Sequence, residues 1–125
     1  MTLGDDTRII NKVKQANAIS PNHTHSLDAA HLMLTVLHAR QAYGITNFAL
    51  IHDSFGTHAA RTDELAVILR ETFVELYQGD PLAAFREEVL DQLQHHPKLA
   101  GELPTLPNQG HLDLTAIRAA RYMFA

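Results

Sequence analysis

The sequence predicts an α+β chain that is mostly helical, with one two-stranded antiparallel hairpin at about residues 45–60 packed on the helices. Three observations predict this class. Apolar residues make up 46% and charged residues 19% of the 125 residues, as in a folded globular chain that forms one compact unit. Several segments show the helical spacing of apolar residues between cap-type residues. Two short runs have the composition of strands.

The first half of the chain contains two predicted helical segments. The first spans residues 6–19, and Ser20-Pro21-Asn22 is expected to end it because the residue before a proline avoids the α region. The second is expected to use Ser26 as its N-cap and to end at Gly44, where a terminating glycine belongs. Four residues form its predicted apolar stripe, which Leu32, Met33 and Val36 widen: Leu27, Ala30, Leu34 and Leu37.

Residues 45–51 and 54–60 read as two strands around a turn at His52-Asp53. Two-residue turns favour Asn-Gly or Asp-Gly because positive φ is easiest there, so His-Asp is a poor turn pair. Local violations of this kind are expected at functional sites. An isolated two-stranded ribbon is marginal in water. Either the helices cover one face of it, or a neighbouring polypeptide supplies further strands, and we favour the second.

Further helices are predicted after the hairpin. Thr62 is expected to cap a helix that ends at Gly79. Its apolar face comprises Leu65, Ile68, Leu69, Thr72, Phe73 and Leu76. Asp80-Pro81 starts the next helix, with an acidic cap and a proline at the first helical position. Residues 97–110 contain three prolines and two glycines and are expected to be mostly loop, and residues 113–121 are predicted to form a short helix.

Composition excludes several classes of protein. The chain has no cysteine, so disulfides and thiolate metal sites are excluded, and a cytoplasmic location is expected. It has neither a signal-peptide pattern at its start nor an apolar run long enough to span a membrane. The net charge of −4 argues against a broad basic surface for nucleic acid. Only residues 8–14 are locally basic; Lys12 and Lys14 either touch phosphate or are simply solvated.

Nine histidines raise the question of a metal site. The pairs His23 and His25, and His95 and His96, have spacings that zinc could use, but no HExxH arrangement occurs. His31 and His38 are seven residues apart on one predicted helix, which is also common for packed histidines. We therefore expect no dedicated histidine metal site.

Three motifs occur in a characteristic order: "PNHTHSLDAAHL" at residues 21–32, "HDSFGTHAA" at residues 52–60, and the terminal Phe124-Ala125. Together they resemble the single-subunit DNA-directed RNA polymerases of bacteriophages and mitochondria. The resemblance extends from about residue 9 to residue 125. It implies an incomplete palm subdomain that contains the palm hairpin. Residues 1–20 would be an N-terminal helical segment, and residues 21–125 the C-terminal palm portion, with a foot-like extension at Phe124-Ala125.

The resemblance also implies a site. Asp53 resembles the palm carboxylate that ligates Mg²⁺ in a two-metal site, and a hairpin tip holds such an acid rigidly. His52 would either position the RNA 3′ end or brace the hairpin. His25 matches the family histidine that helps to select ribonucleotides. Asp28 would either contribute to nucleotide binding or simply favour the first helical turn. Ser54 would have a mainly structural role.

The same resemblance indicates what these 125 residues lack. The second metal-binding carboxylate and the nucleotide-handling fingers helix of the family are absent from the sequence. The chain is therefore expected to be inactive alone, and to act with an N-terminal polymerase subunit or remainder on a DNA template, RNA and nucleoside triphosphates. If it is phage-encoded, its location is the host cytoplasm. The alternative is a non-catalytic remnant that binds another protein through its exposed sheet edge.

Overall fold

The computed structural model describes residues 9–123, and Phe124-Ala125, the predicted foot, lies outside them. The helices are α1 (Lys12–Tyr43), α2 (Thr62–Gln78), α3 (Pro81–Gln92) and α4 (Pro97–Gly101), with 3₁₀ helices at Ala59–Arg61 and Leu114–Ala119. The strands are β1 (Phe48–Ile51) and β2 (Ser54–Thr57), which pair antiparallel. The predicted class, mostly helical α+β with one hairpin, is confirmed. Within the described part of the chain, no helix is both long and apolar enough to cross a membrane.

Helix α1 runs through the proline that was expected to stop it. The side chain of Asn11 caps its start by accepting from the Lys14 N–H at 3.0 Å. Pro21 lies inside the helix, and Ser26 is an interior residue whose hydroxyl donates to the His23 carbonyl at 2.7 Å. The predicted break and the predicted Ser26 cap are therefore wrong. An internal proline removes one helical hydrogen bond and crowds the preceding turn, and α1 tolerates that penalty.

The end of α1 agrees with the prediction. Gly44 adopts a left-handed conformation with φ of 65°, and its N–H bonds to the carbonyls of Ala39 and Arg40. A β-carbon at this position would contact nothing within 4 Å. Glycine is therefore favoured by the backbone angle alone and not by lack of space.

The buried face of α1 differs from the predicted stripe. The buried residues are His31, Thr35 and Ala39, four residues apart, whereas Met33 is 64% and Leu37 50% exposed. The reason is polar pairing with α2 across the helix–helix contact. The hydroxyls of Thr35 and Thr72 lie 2.9 Å apart, and Thr72 also donates to the Ile68 carbonyl at 2.9 Å. Because these polar groups are satisfied, they can be buried in place of leucines.

The hairpin forms as predicted, with shorter strands. Ile51 pairs with Ser54, so His52 and Asp53 are the two loop residues. Phe48 and Phe55 pack from the hairpin onto a core cluster, to which Leu69 of α2 also contributes. The buried members of that cluster are Ala39, Ile45, Leu65 and Ile68. Ile45 was expected in the first strand and instead lies in the core before β1 begins.

Helix α2 is the central element. It packs on α1 and on the C-terminal 3₁₀ helix Leu114–Ala119. Arg61 occupies the N-cap position, so the predicted cap Thr62 is the first helical residue, a shift within the usual uncertainty of helix ends. The Arg70 guanidinium donates to the Ala120 carbonyl at 3.0 and 3.1 Å, and Arg118 bonds to Glu71 at 2.9 Å. These contacts fix the C-terminal segment along α2.

Helix α3 starts where its predicted signals place it, whereas α4 was not predicted. Asp80 caps α3 with its side chain, accepting from the Ala83 N–H at 3.1 Å and from Gln109 at 2.7 Å. Its φ of 47° is unusual for a residue other than glycine and is more readily tolerated by aspartate and asparagine than by most residues. Short helix α4 lies inside the segment expected to be mostly loop, and the rest of residues 97–110 has no long regular element.

Candidate functional site

The candidate site is the tip of the hairpin. His52 and Asp53 are both exposed, and His52 has a positive φ of 51° whereas Asp53 does not. This combination of φ signs is that of a type II′ turn, which suits the twist of paired strands. A positive φ at a residue other than glycine is strained by roughly 1–2 kcal/mol. The tip therefore keeps a locally unfavourable residue, as the sequence suggested.

The carboxylate of Asp53 is available for a ligand. Across residues 9–123, no hydrogen bond or ion pair engages it. It projects from a turn whose flanking residues, Ile51 and Ser54, are paired across the ladder. An acid in this position is held by two strands and remains open to solvent, which suits a metal ligand.

Beneath the tip, the hairpin rests on a buried histidine that the sequence analysis did not single out as functional. The ring of His31 contacts Phe55 edge-on, with centroids 5.6 Å apart, and Phe73 at 5.4 Å. Its Nε2 lies 3.0 Å from the Leu69 carbonyl. A carbonyl only accepts, so Nε2 carries the proton. His31 therefore links α1 and α2 to β2, the second strand of the hairpin.

Burial lowers the pKa of His31 below its ordinary value, while the hydrogen bond to the Leu69 carbonyl and the charge of Asp28 oppose that shift. The imidazole is consequently neutral at pH 7. The support of the hairpin is thus an uncharged histidine between two phenylalanine rings. The sequence signal was present, since His31, Thr35 and Ala39 are spaced four apart, but a search for apolar residues does not detect it.

The two predicted nucleotide-binding residues lie within α1. His25 is exposed and Asp28 half-buried, one turn from His31. In the described part of the chain, no hydrogen bond or ion pair joins either residue to His52 or Asp53. The structure therefore associates Asp28 with the buried histidine behind the hairpin rather than with the tip itself.

The residues present fit a partial metal site. Among residues 9–123, no three histidine or acidic side chains lie close enough together to hold a metal ion. Asp53 supplies one carboxylate, a hard oxygen donor of the type that Mg²⁺ prefers. A complete metal site would require ligands beyond those that residues 9–123 bring together.

Comparison with known proteins identifies the family. The model of the DNA-dependent RNA polymerase family matches residues 1–101. The chain belongs to this family. The matched range includes His25, Asp28, His52 and Asp53. The family match and the relatives described next confirm the predicted resemblance to phage-type polymerases.

Individual relatives agree. The DNA-directed RNA polymerase of Enterobacteria phage T3 is 44% identical over 113 residues, which are 90% of this chain and 13% of the relative. T7 RNA polymerase of Escherichia phage T7 gives the same identity and the same coverage. DNA-directed RNA polymerase 2A of Nicotiana tabacum is 40% identical over 125 residues, 99% of this chain and 35% of the relative. The chain thus spans about an eighth of the length of these phage relatives.

Proposed function

We propose that the chain is the C-terminal palm portion of a phage-type DNA-directed RNA polymerase and that Asp53 is one of its Mg²⁺ ligands. The observation that carries this proposal is the exposed Asp53 carboxylate at a two-residue hairpin turn, in a chain of the polymerase family. Among residues 9–123, no hydrogen bond or ion pair engages this carboxylate. When bound in such a site, Mg²⁺ stabilises the attacking 3′-oxygen and the leaving pyrophosphate of nucleotidyl transfer.

The chain's own residues would hold and aim this ligand. The ladder fixes the turn, and Phe55 packs on His31, so the tip is supported from behind. His52 would position the RNA 3′ end beside the carboxylate. His25, whose ring is exposed on α1, would hydrogen-bond a ribose hydroxyl, and Asp28 would assist on the next turn of the helix.

The proposal includes a requirement for other polypeptide. The second carboxylate, the fingers, and the contacts to DNA template, RNA and nucleoside triphosphates would come from the polymerase remainder, by which we mean the part of the polymerase outside this chain. The net charge of −4 is consistent with a basic groove supplied by that remainder. The 125-residue chain alone is expected to synthesise no RNA, and Mg²⁺-dependent synthesis by the purified chain would contradict the proposal.

The decisive experiment is Asp53→Asn in the polymerase that contains this chain. An amide is a poor Mg²⁺ ligand, so we expect the rate of RNA synthesis to fall at least ~100-fold, which corresponds to about 2.7 kcal/mol. Asp91→Asn is the matched control, because Asp91 is an exposed acid on α3 away from the hairpin. Normal synthesis by the Asp53 variant would exclude the assigned role.

A second candidate function follows from the sheet edges. Within the described residues the sheet has two strands, so each strand has an outer edge without a strand partner. Such edges favour pairing with another chain, as in a non-catalytic interaction module. This candidate predicts that the chain binds a protein partner while synthesis by the resulting complex is independent of Asp53. The Asp53→Asn experiment therefore separates the two.

A further inference from the structure

Helix α1 extends well beyond the helices on which it packs. Its 32 residues correspond to about 48 Å, whereas the 17 residues of α2 correspond to about 26 Å. The side-chain hydrogen bonds from α1 to α2 occur in the second half of α1, at His31 and Thr35. Residues 9–22 are exposed except for Ala18, which is half-buried. We refer to residues 12–21 as the α1 arm.

The arm exposes apolar side chains. Val13 is 69% exposed and Ile19 55%, and Ile10, just before the helix, is 72% exposed. A helix of about ten residues is marginal in water without tertiary contacts, and the internal Pro21 weakens it further. An arm of this composition therefore gains stability from a surface that covers it.

One face of the arm continues a face of α1 that packs against the rest of the chain. A stripe with alternating spacings of three and four residues follows one side of α1: Val13, Ala16, Ser20, His23 and Leu27. At its C-terminal end the His23 ring lies 4.8 Å from the Phe85 ring of α3. Leu27 lines a cavity of about 620 Å³ together with Tyr77 at the end of α2. The C-terminal end of the stripe, at His23 and Leu27, thus packs against other helices, whereas its N-terminal end on the arm is exposed.

The charge of the arm indicates the kind of partner. No acidic residue occurs between Asp6 and Asp28, and the arm carries Lys12 and Lys14 in a chain whose net charge is −4. A complementary surface would be an apolar groove with acidic residues at its rim. Phosphate would also attract the lysines, but the exposed Val13 and Ile10 favour a protein surface over nucleic acid.

We propose that the Val13 face of the α1 arm packs into an apolar groove of the polymerase remainder and so joins this chain to the rest of the enzyme. This inference depends on the proposed function, in which the chain works as part of a larger polymerase. The phage relatives, of whose length the matched residues are 13%, contain ample additional polypeptide to form such a groove.

The test compares Val13→Glu with Gln15→Glu in the complete 125-residue chain. Both place one acid in the first turn of α1, where the helix dipole favours it, but the two positions are about 200° apart around the helix. Affinity for the separately expressed polymerase remainder is measured by isothermal titration calorimetry. We expect the Kd to rise at least ~10-fold for Val13→Glu and to change less than ~2-fold for Gln15→Glu.

Thermal melting by circular dichroism checks that each variant folds like the parent. If Val13→Glu melts at a lower temperature, Val13→Ala against Gln15→Ala makes the same comparison without a new charge. Parent-like affinity of the folded Val13 variant, or an equal loss in both variants, would overturn the proposal.

Further measurements distinguish two other binding partners of the arm, a second copy of the chain and nucleic acid. Self-association of the chain alone in sedimentation experiments, abolished by Val13→Glu, would assign the face to a second copy. Weaker binding of an RNA–DNA hybrid by Lys12→Gln and Lys14→Gln, with binding to the remainder unaffected by Val13→Glu, would assign the arm to nucleic acid. Either result overturns the proposal.

The assignment of Asp53 is tested separately. Asp53→Asn is expected to bind the remainder with parent affinity and to lose synthesis. If it binds and synthesises normally, the catalytic role fails while the arm interface stands. If it binds normally and Val13→Glu does not weaken binding, the arm interface fails alone.

Discussion

Replacing Thr72 by valine tests the polar contact between α1 and α2 directly. Thr72 and Thr35 both have no exposed surface, and their hydroxyls are 2.9 Å apart. Thr72 donates its proton to the Ile68 carbonyl at 2.9 Å, so Thr35 is the donor within the pair. Thr72→Val therefore removes both of these hydrogen bonds of the Thr72 hydroxyl and leaves the Thr35 hydroxyl buried without its acceptor.

The expected losses of stability differ because Thr35 is the donor and Thr72 the acceptor of the shared hydrogen bond. A buried hydroxyl left without a partner costs roughly 1–3 kcal/mol, so Thr72→Val should lower the free energy of unfolding by about that amount. Thr35→Val leaves the Thr72–Ile68 bond intact and should cost only about 0.5–1.5 kcal/mol. The double variant has no unsatisfied hydroxyl, and it should therefore be more stable than Thr72→Val alone.

Urea unfolding, followed by the helical circular dichroism signal, measures the free energy of unfolding of the parent, the two single variants and the double variant. Thr24→Val is the matched control, since Thr24 is an exposed helical threonine whose hydroxyl donates to the Ser20 carbonyl at 3.2 Å. Its unfolding free energy should change by less than ~0.5 kcal/mol. Strict additivity of the two single substitutions, or a smaller loss for Thr72→Val than for Thr35→Val, would refute the assigned donor direction.

Two further predictions concern pH and backbone conformation. Burial lowers the pKa of His31 in the folded chain, so His31 is protonated in the unfolded chain first as the pH falls. The free energy of unfolding therefore decreases below about pH 6.5 and stops decreasing once the pH is below the folded-state pKa. Urea unfolding against pH should show a His31 contribution no steeper than ~1.4 kcal/mol per pH unit, absent in His31→Gln and retained in His25→Gln. Gly44→Ala should cost about 1–2 kcal/mol, because φ is 65° although space is free, and the melting temperature should fall. Gly101→Ala, where space is also free and φ is not positive, should leave the melting temperature unchanged or slightly higher.

The elements that the sequence predicted well are those with local chemical causes. The turn at His52-Asp53, the end of α1 at Gly44 and the start of α3 at Asp80-Pro81 each depend on residues within a few positions of one another. Such signals need no knowledge of tertiary structure. The exposure of the Asp53 carboxylate followed from the same local reasoning.

The core face of α1 could not be derived in this way. His31 and Thr35 are buried because partners 38 and 37 residues away, the Leu69 carbonyl and the Thr72 hydroxyl, satisfy them. A count of apolar residues instead favoured Leu37, which is 50% exposed. A usable signal did exist, since Thr72 interrupts an otherwise apolar stripe of α2 and a buried threonine requires a partner on the facing helix.

Pro21 in α1 has a mechanical consequence. Without an N–H at this position, the carbonyl of Asn17 cannot receive its usual helical bond, so bending here costs less than elsewhere along the helix. The first buried residue of α1, His31, comes ten positions later, on the C-terminal side of the proline. A change in direction of the first turns of α1 therefore need not disturb His31, which packs against the hairpin, so the two ends of the helix can adjust independently.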